Sequence, residues 1–295
     1  MVSDVLIAPR VLRVGLIGSG IGGSLSPAMH MQEGARLGLD YTYDIIDLQT
    51  LGCTVSDLPK LIDNAEKNGF AGLNITHPCK QAAVALVDEL SADAAVLRSI
   101  NTIVFRNGRR FGHNTDWWGF AESFRRGLPG ASLERVVQLG AGGAGVAVAH
   151  AIAGMGAKSI EIYDLDPARV GALISQIQSA HPHCVFVAGK DLPGALKEAT
   201  GLVHATPTGM LGHPGLPLDE TLIDARFWVA DIVYFPLETE LVNAARSKGC
   251  RVLDGGGMAV FQAVGAFELF TGSRADSSRM IAHFKSLQAR LTIGA

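Results

Sequence analysis

Charge is scarce in this sequence, and aromatic rings are scarcer. Of 295 residues, 18% are Asp, Glu, Lys or Arg and 6% are Phe, Trp or Tyr. The formal net charge of −3 is not gathered into a long run of one sign, so nothing favours nucleic acid or an anionic membrane as a partner. Cys53, Cys79, Cys184 and Cys250 stand far apart without a C-x-x-C. That spacing indicates neither a zinc site nor a disulfide framework, and a reducing cytoplasm is the expected compartment. The most apolar stretch, Ala144 to Ala157, is too short and glycine-rich to span a bilayer. The N-terminus lacks a charged start leading into a clean apolar block, so a soluble, unprocessed chain is expected. His181-x-His183 has no third ligand beside it, and no metal is expected.

What the chain does hold is a well-cored composition, 48% hydrophobic, at a length that suits two ordinary domains. It also holds 35 glycines. At that frequency a chance G-x-G-x-x-G is expected about half a time per chain, so the bare pattern is weak evidence for a nucleotide site. Two copies occur. Gly18, Gly20 and Gly23 follow the apolar run Val14 to Ile17, and Gly140, Gly142 and Gly145 follow Val136 to Leu139. Each is followed by a second strand-like run ending in an acid, Asp47 in the first case and Asp164 in the second.

The residues after each turn separate them, because a pyrophosphate needs bare backbone N–H groups at the start of a helix packed closely on a sheet. After Gly145 the chain enters Val146-Ala147-Val148-Ala149 directly, small enough for close approach. After Gly23 come Ser24-Leu25-Ser26-Pro27, where Pro27 suits the first position of a later helix and the hydroxyls suit a small polar ligand. The dinucleotide is therefore assigned to the second turn.

Alternation of strands and helices runs through the rest. Strands are expected over 12–18, 41–48 and 72–75, with helices over 27–37 and 57–68. Thr76-His77-Pro78-Cys79-Lys80 passes from strand into an expected helix, with Pro78 at its first position and Ala82 to Leu90 continuing it. Lys80 then lies in a first helical turn, where the dipole opposes its charge unless a carboxylate or a chemical task compensates. An ordinary surface lysine fits the same position.

Asn107-Gly108 is the signal of a two-residue hairpin turn. If Arg106 pairs with Arg109, counting back sets Asn101 opposite Asn114 and brings Asp116 close to both. Asp116 also suits the cap of a helix carrying Trp117 and Trp118. Gly127 to Ser132 reads as a boundary, after which strands are expected over 136–139, 160–163, 185–188, 201–205, 228–234 and 250–253. Helices are expected over 259–271 and 280–291.

Seven fragments occur in order along nearly the whole chain: GSLSP (Gly23 to Pro27), NITHPCK (Asn74 to Lys80), INT (Ile100 to Thr102), GHNTD (Gly112 to Asp116), GAGGAG (Gly140 to Gly145), ATPTGM (Ala205 to Met210) and DGGGMAVFQA (Asp254 to Ala263). Together they resemble the shikimate dehydrogenase family, most closely its quinate/shikimate dehydrogenase branch. The resemblance implies an α/β fold with an N-terminal α/β substrate domain and a Rossmann-type doubly wound parallel-sheet domain, the active site lying in the cleft between. It implies residues 1–116, completed by C-terminal helices over 259–295, for the first domain and 117–258 for the second.

By the same resemblance Ser24 and Ser26 hold a substrate carboxylate, and Thr76, Asn101, Asp116 and Gln262 bind ring hydroxyls. Lys80 and Asp116 match the catalytic pair. Cofactor contacts fall to Gly140, Ala141, Gly142, Gly143, Ala144, Gly145, Asp164, Thr206, Val233, Gly255 and Met258. The implied partners are a small cyclic hydroxy acid and NAD, in a monomer or homodimer. Two departures stand out. Gly20-Ile21-Gly22-Gly23 replaces the Pro-Ile-x-His that usually precedes the serines. Asp164-Leu165-Asp166 replaces the Asn-Arg-Ser/Thr of NADP-dependent members, and a carboxylate there repels a 2′-phosphate, so NAD is expected. The competing expectations are a biosynthetic enzyme reducing 3-dehydroshikimate, a catalytically silent dinucleotide-binding member, and a methyltransferase, which shares a glycine turn but needs none of the other fragments.

Overall fold

The computed structural model describes residues 11–293, which fall into two compact units. The first holds the described chain up to Ala94, Arg98–Asn114 and everything from Ala263 onward; the second holds Ala95–Leu97 and Thr115–Gln262. The substrate domain expected from sequence ran to residue 116 and resumed at 259, whereas these divisions fall after Asn114 and after Gln262.

The first unit is built on a six-stranded sheet. Its strands are β1 (Val11–Gly18), β2 (Asp40–Asp47), β3 (Gly72–Ile75), β4 (Glu89–Leu90), β5 (Thr102–Arg106) and β6 (Arg109–His113), in the order β2-β1-β3-β5-β6-β4. β1, β2 and β3 run parallel, while β5 and β6 form an antiparallel hairpin beside β3. Alternation along β1 sends Leu12, Val14 and Leu16 into one apolar cluster with Tyr41, Tyr43, Phe267 and Phe270. Ile17 joins the cluster on the other face with Leu58, Ile62, Leu73 and Ile103. The hairpin has the expected register, from Arg106 opposite Arg109 to Thr102 opposite His113, and Asn107 and Gly108 both take positive φ, 54° and 69°, as the tight turn requires.

One stretch departs from expectation. The His77-Pro78 peptide bond is cis, residues 77–81 form a turn, and only a five-residue 3₁₀ helix follows, Ala82–Leu86. Residues 89–90 leave the apolar helical pattern to pair with β6, anchored by Asp88, whose N–H reaches the Arg110 carbonyl and whose carboxylate accepts the Arg110 N–H. Lys80 therefore precedes a helical fragment and is not in the first turn of an α-helix, and the dipole argument does not apply to it.

The second unit carries a fully parallel six-stranded sheet. Its strands are β7 (Arg135–Leu139), β8 (Ser159–Tyr163), β9 (Val185–Ala188), β10 (Gly201–His204), β11 (Trp228–Asp231) and β12 (Val252–Leu253), in the order β12-β11-β10-β7-β8-β9. The order reverses between β7 and β10, as in doubly wound dinucleotide-binding sheets. Helices Asp116–Gly127, Gly143–Gly154 and Pro167–Ile177 cover one face through Phe120, Val148, Ile152 and Leu173. Helices Leu192–Glu198 and Glu240–Ser247 cover the other through Leu196 and Leu241. Among the described residues no helix is long and apolar enough to cross a membrane, and no group of three His, Cys, Asp or Glu side chains is placed to hold a metal.

Glu33 and His30 are sealed into the first unit. Glu33, 1% exposed, accepts from the Asp276 N–H and from Arg279 Nε and Nη2 at 2.8, 2.7 and 2.6 Å, tying helix Ser26–Arg36 to helix Ser277–Ile293. His30, 0% exposed, meets Tyr41 Oη at 2.9 Å through Nδ1 among Tyr43, Phe267 and Phe270. Burial lowers its pKa from 6.5 to about 3. Between those values the unfolded chain binds a proton at His30 that the folded chain refuses, so this contribution to stability is intact above pH 6.5 and declines as the pH falls. Urea unfolding of the wild type and His30→Leu at pH 6.5 and 5 tests this: the variant is expected to lose about 2 kcal/mol less than the wild type over that interval.

Candidate active site

In the first unit the candidate residues converge at the carboxyl ends of β1 and β3 and the start of β5. Gly18 ends β1 against the next loop, where a Cβ would lie 2.3 Å from Thr76 Cγ2. Two backbone bonds join the same loops, Ser19 N–H to the His77 carbonyl at 3.0 Å and Thr76 N–H to the Ile17 carbonyl at 2.9 Å. Beyond them Gly20 and Ile21 donate their N–H groups to the two carboxylate oxygens of Asp47, both at 2.9 Å. Burial would raise the Asp47 carboxyl, but backbone bonds from Gly20, Ile21, Gln49 and Thr50 together hold it below the usual carboxylate range.

The first glycine turn thus spends amides on a side chain of its own unit and leads to the serines. Ser24 N–H reaches the Ile21 carbonyl at 3.0 Å, and Ser24 Oγ accepts from the Ser26 N–H at 3.3 Å where helix Ser26–Arg36 begins. Lys80 is tied to the segment just before β5 by the Ile100 N–H, which reaches its carbonyl at 3.1 Å, and Asn101 accepts on its own carbonyl from the Ile75 N–H at 2.8 Å. Ser24, Ser26, Thr76, Lys80 and Asn101 therefore belong to one connected set of loops.

Asp116 and Gln262 belong to the second unit. Asp116, 9% exposed, is the first residue of its helix, behind Thr115 as N-cap. It is therefore a first-turn residue and not the cap itself. Thr115 Oγ1 donates to the Gln262 carbonyl at 2.9 Å, and Gly119 lets its helix pass close to the backbone of helix Gly256–Thr271: a Cβ there would lie 2.6 Å from Gln262 N.

The second glycine turn uses its residues differently. Gly140, with φ at 103°, approaches β10 so closely that a Cβ would sit 2.4 Å from the Ala205 carbonyl oxygen, and a Cβ on Gly145 would sit 2.4 Å from that of Gly140. Gly142 caps helix Gly143–Gly154 without a side-chain bond, and above Gly142 and Gly143 a Cβ would meet nothing within 4 Å. Bare N–H groups with open space beside a helix N-terminus suit a pyrophosphate. At the end of β8, Asp164 accepts from the Ala141 N–H at 2.8 Å and the Asp166 N–H at 2.9 Å, and Leu165 is fully exposed.

Three contributors were not read from sequence. Buried Gln138 donates through Nε2 to the Gly140 and Gly145 carbonyls, both at 2.9 Å, and clamps the turn; its signal was one amide in an apolar strand. Buried His204 joins Asp231 at 2.9 Å through Nδ1 and Thr206 Oγ1 at 2.5 Å through Nε2. Asp231 also accepts the Val233 N–H at 3.0 Å, so one buried pair supports both Thr206 and Val233. Gly255 lies against Val233, where a Cβ would come within 2.4 Å of its carbonyl oxygen, and Met258 follows on helix Gly256–Thr271.

A parallel sheet in doubly wound order with an uncapped glycine turn at its reversal point defines a Rossmann-type dinucleotide-binding protein. Residues 16–103 match the model of the shikimate dehydrogenase substrate binding domain. The chain is 53% identical to a shikimate dehydrogenase (NADP(+)) of Streptomyces avermitilis over 93% of its own length and 95% of the relative's. It is 48% identical to a quinate/shikimate dehydrogenase (NAD(+)) of Corynebacterium efficiens, covering 93% and 98%. Quinate dehydrogenase from Corynebacterium glutamicum, solved in complex with NAD, superposes with a TM-score of 0.89 at 45% identity, covering 94% and 99%. The chain belongs to the shikimate dehydrogenase family of oxidoreductases.

Gly145→Ala is expected to weaken nicotinamide dinucleotide binding at least about tenfold, because the added methyl must displace the Gly140 backbone. Titration of protein fluorescence with the dinucleotide measures it; an unchanged Kd would contradict the placement of the cofactor on this turn.

Proposed function

We propose that the protein oxidises the C3 hydroxyl of shikimate or quinate to the 3-dehydro acid with NAD as the hydride acceptor. The observation that carries the choice of NAD is Asp164, a carboxylate held by two backbone N–H groups at the end of β8. A carboxylate there accepts hydrogen bonds from ribose hydroxyls and repels a 2′-phosphate. Arg169, the nearest cation along the following helix, lies 3.6 Å from Asp166, which draws it away from that role. The NADP(+) in the Streptomyces relative's name makes the reductive, biosynthetic reaction the competing reading, and nucleotide preference separates the two.

In this reading Ser24 and Ser26 hold the carboxylate of the acid, while Thr76, Asn101, Asp116 and Gln262 bind its ring hydroxyls. The dinucleotide lies along Gly140 to Gly145, with Asp164 on the adenosine ribose and Thr206, Val233, Gly255 and Met258 along the remainder. When bound, the nicotinamide ring supplies the acceptor for the hydride that leaves C3. Lys80 takes the hydroxyl proton as that hydride departs and returns it to the ketone oxygen in reverse. Asp116 completes the acid–base pair from a helix N-terminus, where negative charge is favoured.

Lys80→Met tests the proton transfer: kcat is expected to fall about a hundredfold or more with substrate binding retained. Near-normal turnover would remove Lys80 from its role. Asp164→Ser combined with Leu165→Arg tests the cofactor assignment. The ratio of kcat/KM for NAD over NADP is expected to shift toward NADP, and an unchanged ratio would contradict it.

A further inference from the structure

One buried chain of hydrogen bonds in the first unit has a forced direction. The antiparallel register of β3 and β5 sets Asn74 opposite Thr102. Asn74 Nδ2 lies 3.2 Å from the Asn101 carbonyl oxygen and 3.1 Å from Thr102 Oγ1, while its Oδ1 lies 2.8 Å from Tyr43 Oη. A carbonyl can only accept, so the end of the Asn74 amide facing Asn101 is its NH₂ and the end facing Tyr43 is its oxygen. Tyr43 must then donate. Thr102, already accepting from Asn74, has one proton, and the only side-chain acceptor bonded to Oγ1 among the described contacts is Asn101 Oδ1 at 3.0 Å.

Turning the Asn74 amide over would set its oxygen against the Asn101 carbonyl, and turning the Asn101 amide over would leave the Thr102 proton without a side-chain acceptor among the described contacts, inside a region where Tyr43, Asn74, Asn101 and Thr102 are all buried. Burial also pushes the Tyr43 phenol far above its ordinary pKa, which keeps the first donor of the chain protonated.

We propose that Tyr43, Asn74 and Thr102 are positioning residues that lock the Asn101 amide with Oδ1 turned inward, so that Asn101 meets the substrate as a hydrogen-bond donor. The inference rests on the reading of Asn101 as a substrate contact and adds the residues that set its polarity. A donor suits a ring oxygen whether it is a hydroxyl or a ketone, since both accept. An amide free to turn would present a carbonyl part of the time, which no ketone oxygen can use.

The test is a double-mutant cycle read as the Kd for shikimate and for quinate by calorimetry and as KM in turnover. Thr102→Val removes the locking donor while keeping the side-chain shape. It is expected to raise Kd and KM about tenfold with kcat and the dinucleotide Kd nearly unchanged. Thr102→Ser, which keeps the hydroxyl, restores both. In an Asn101→Ala background, where no amide is left to orient, the same Thr102→Val change is expected to alter Kd less than about twofold.

Packing damage alone would persist in that background, so an equal loss there overturns the relay, as does a Thr102→Val protein with wild-type Kd or a failure of Thr102→Ser to restore it. Should Thr102→Val not fold, Tyr43→Phe removes the first donor and is expected to raise Kd in the same direction by a smaller factor, and no change in its Kd overturns the relay. A wild-type protein that binds neither acid defeats the reading of Asn101 as a substrate contact and the relay with it. Wild-type binding that is indifferent to Thr102 defeats the relay alone.

Discussion

What accepts from the backbone N–H groups of the two glycine turns separates two otherwise matching segments. Each turn follows a parallel strand, and in each case the next strand leads to an Asp, Asp47 as the last residue of β2 and Asp164 as the residue just after β8. At the first, Asp47 takes the Gly20 and Ile21 amides, so the turn is closed by its own chain and becomes a rigid lead into Ser24 and Ser26. At the second, Asp164 takes only Ala141 among the turn amides, and the space over Gly142 and Gly143 stays open beside a helix N-terminus without a side-chain cap. The free amides of a helix start are costly unless water or an anion meets them, so the second arrangement favours a phosphate ligand and the first does not.

Support for these turns comes from buried polar side chains that bond to backbone or to one another. Gln138 holds two carbonyls of the second turn, and the Asp231–His204 pair holds Thr206 and the Val233 amide. In the first unit Tyr43, Asn74 and Thr102 do the same for Asn101. Each network converts a flexible side chain or loop into a group with one orientation, which is what a site needs if it is to discriminate between similar polar ligands.

Periodicity and turn chemistry made much of the fold legible. The alternation of strands and helices, the Asn107-Gly108 hairpin with its register, and the small-residue helix after Gly145 are all local signals. Residues 82–90 misled because an apolar helical spacing there competes with a tertiary demand: Asp88 and the two residues after it are claimed by β6, a partner about twenty positions away. The supporting networks were illegible for the same reason. Tyr43 and Asn74 are 31 residues apart, as are no local motif's members, and His204 and Asp231 are 27 apart. A polar residue inside an apolar strand, as at Gln138, was the only trace they left.

Family membership narrows the chemistry to this oxidoreductase class, and relatives named for NAD(+) and for NADP(+) both align along nearly the whole chain. The choice therefore returns to the few residues at the end of β8. The most direct measurement is the initial rate of nicotinamide reduction by the wild-type protein with shikimate and with quinate, using NAD and NADP in turn. The account predicts reduction with at least one of the two acids and a higher kcat/KM with NAD. A preference for NADP, or no reduction with either acid by folded protein, would contradict it.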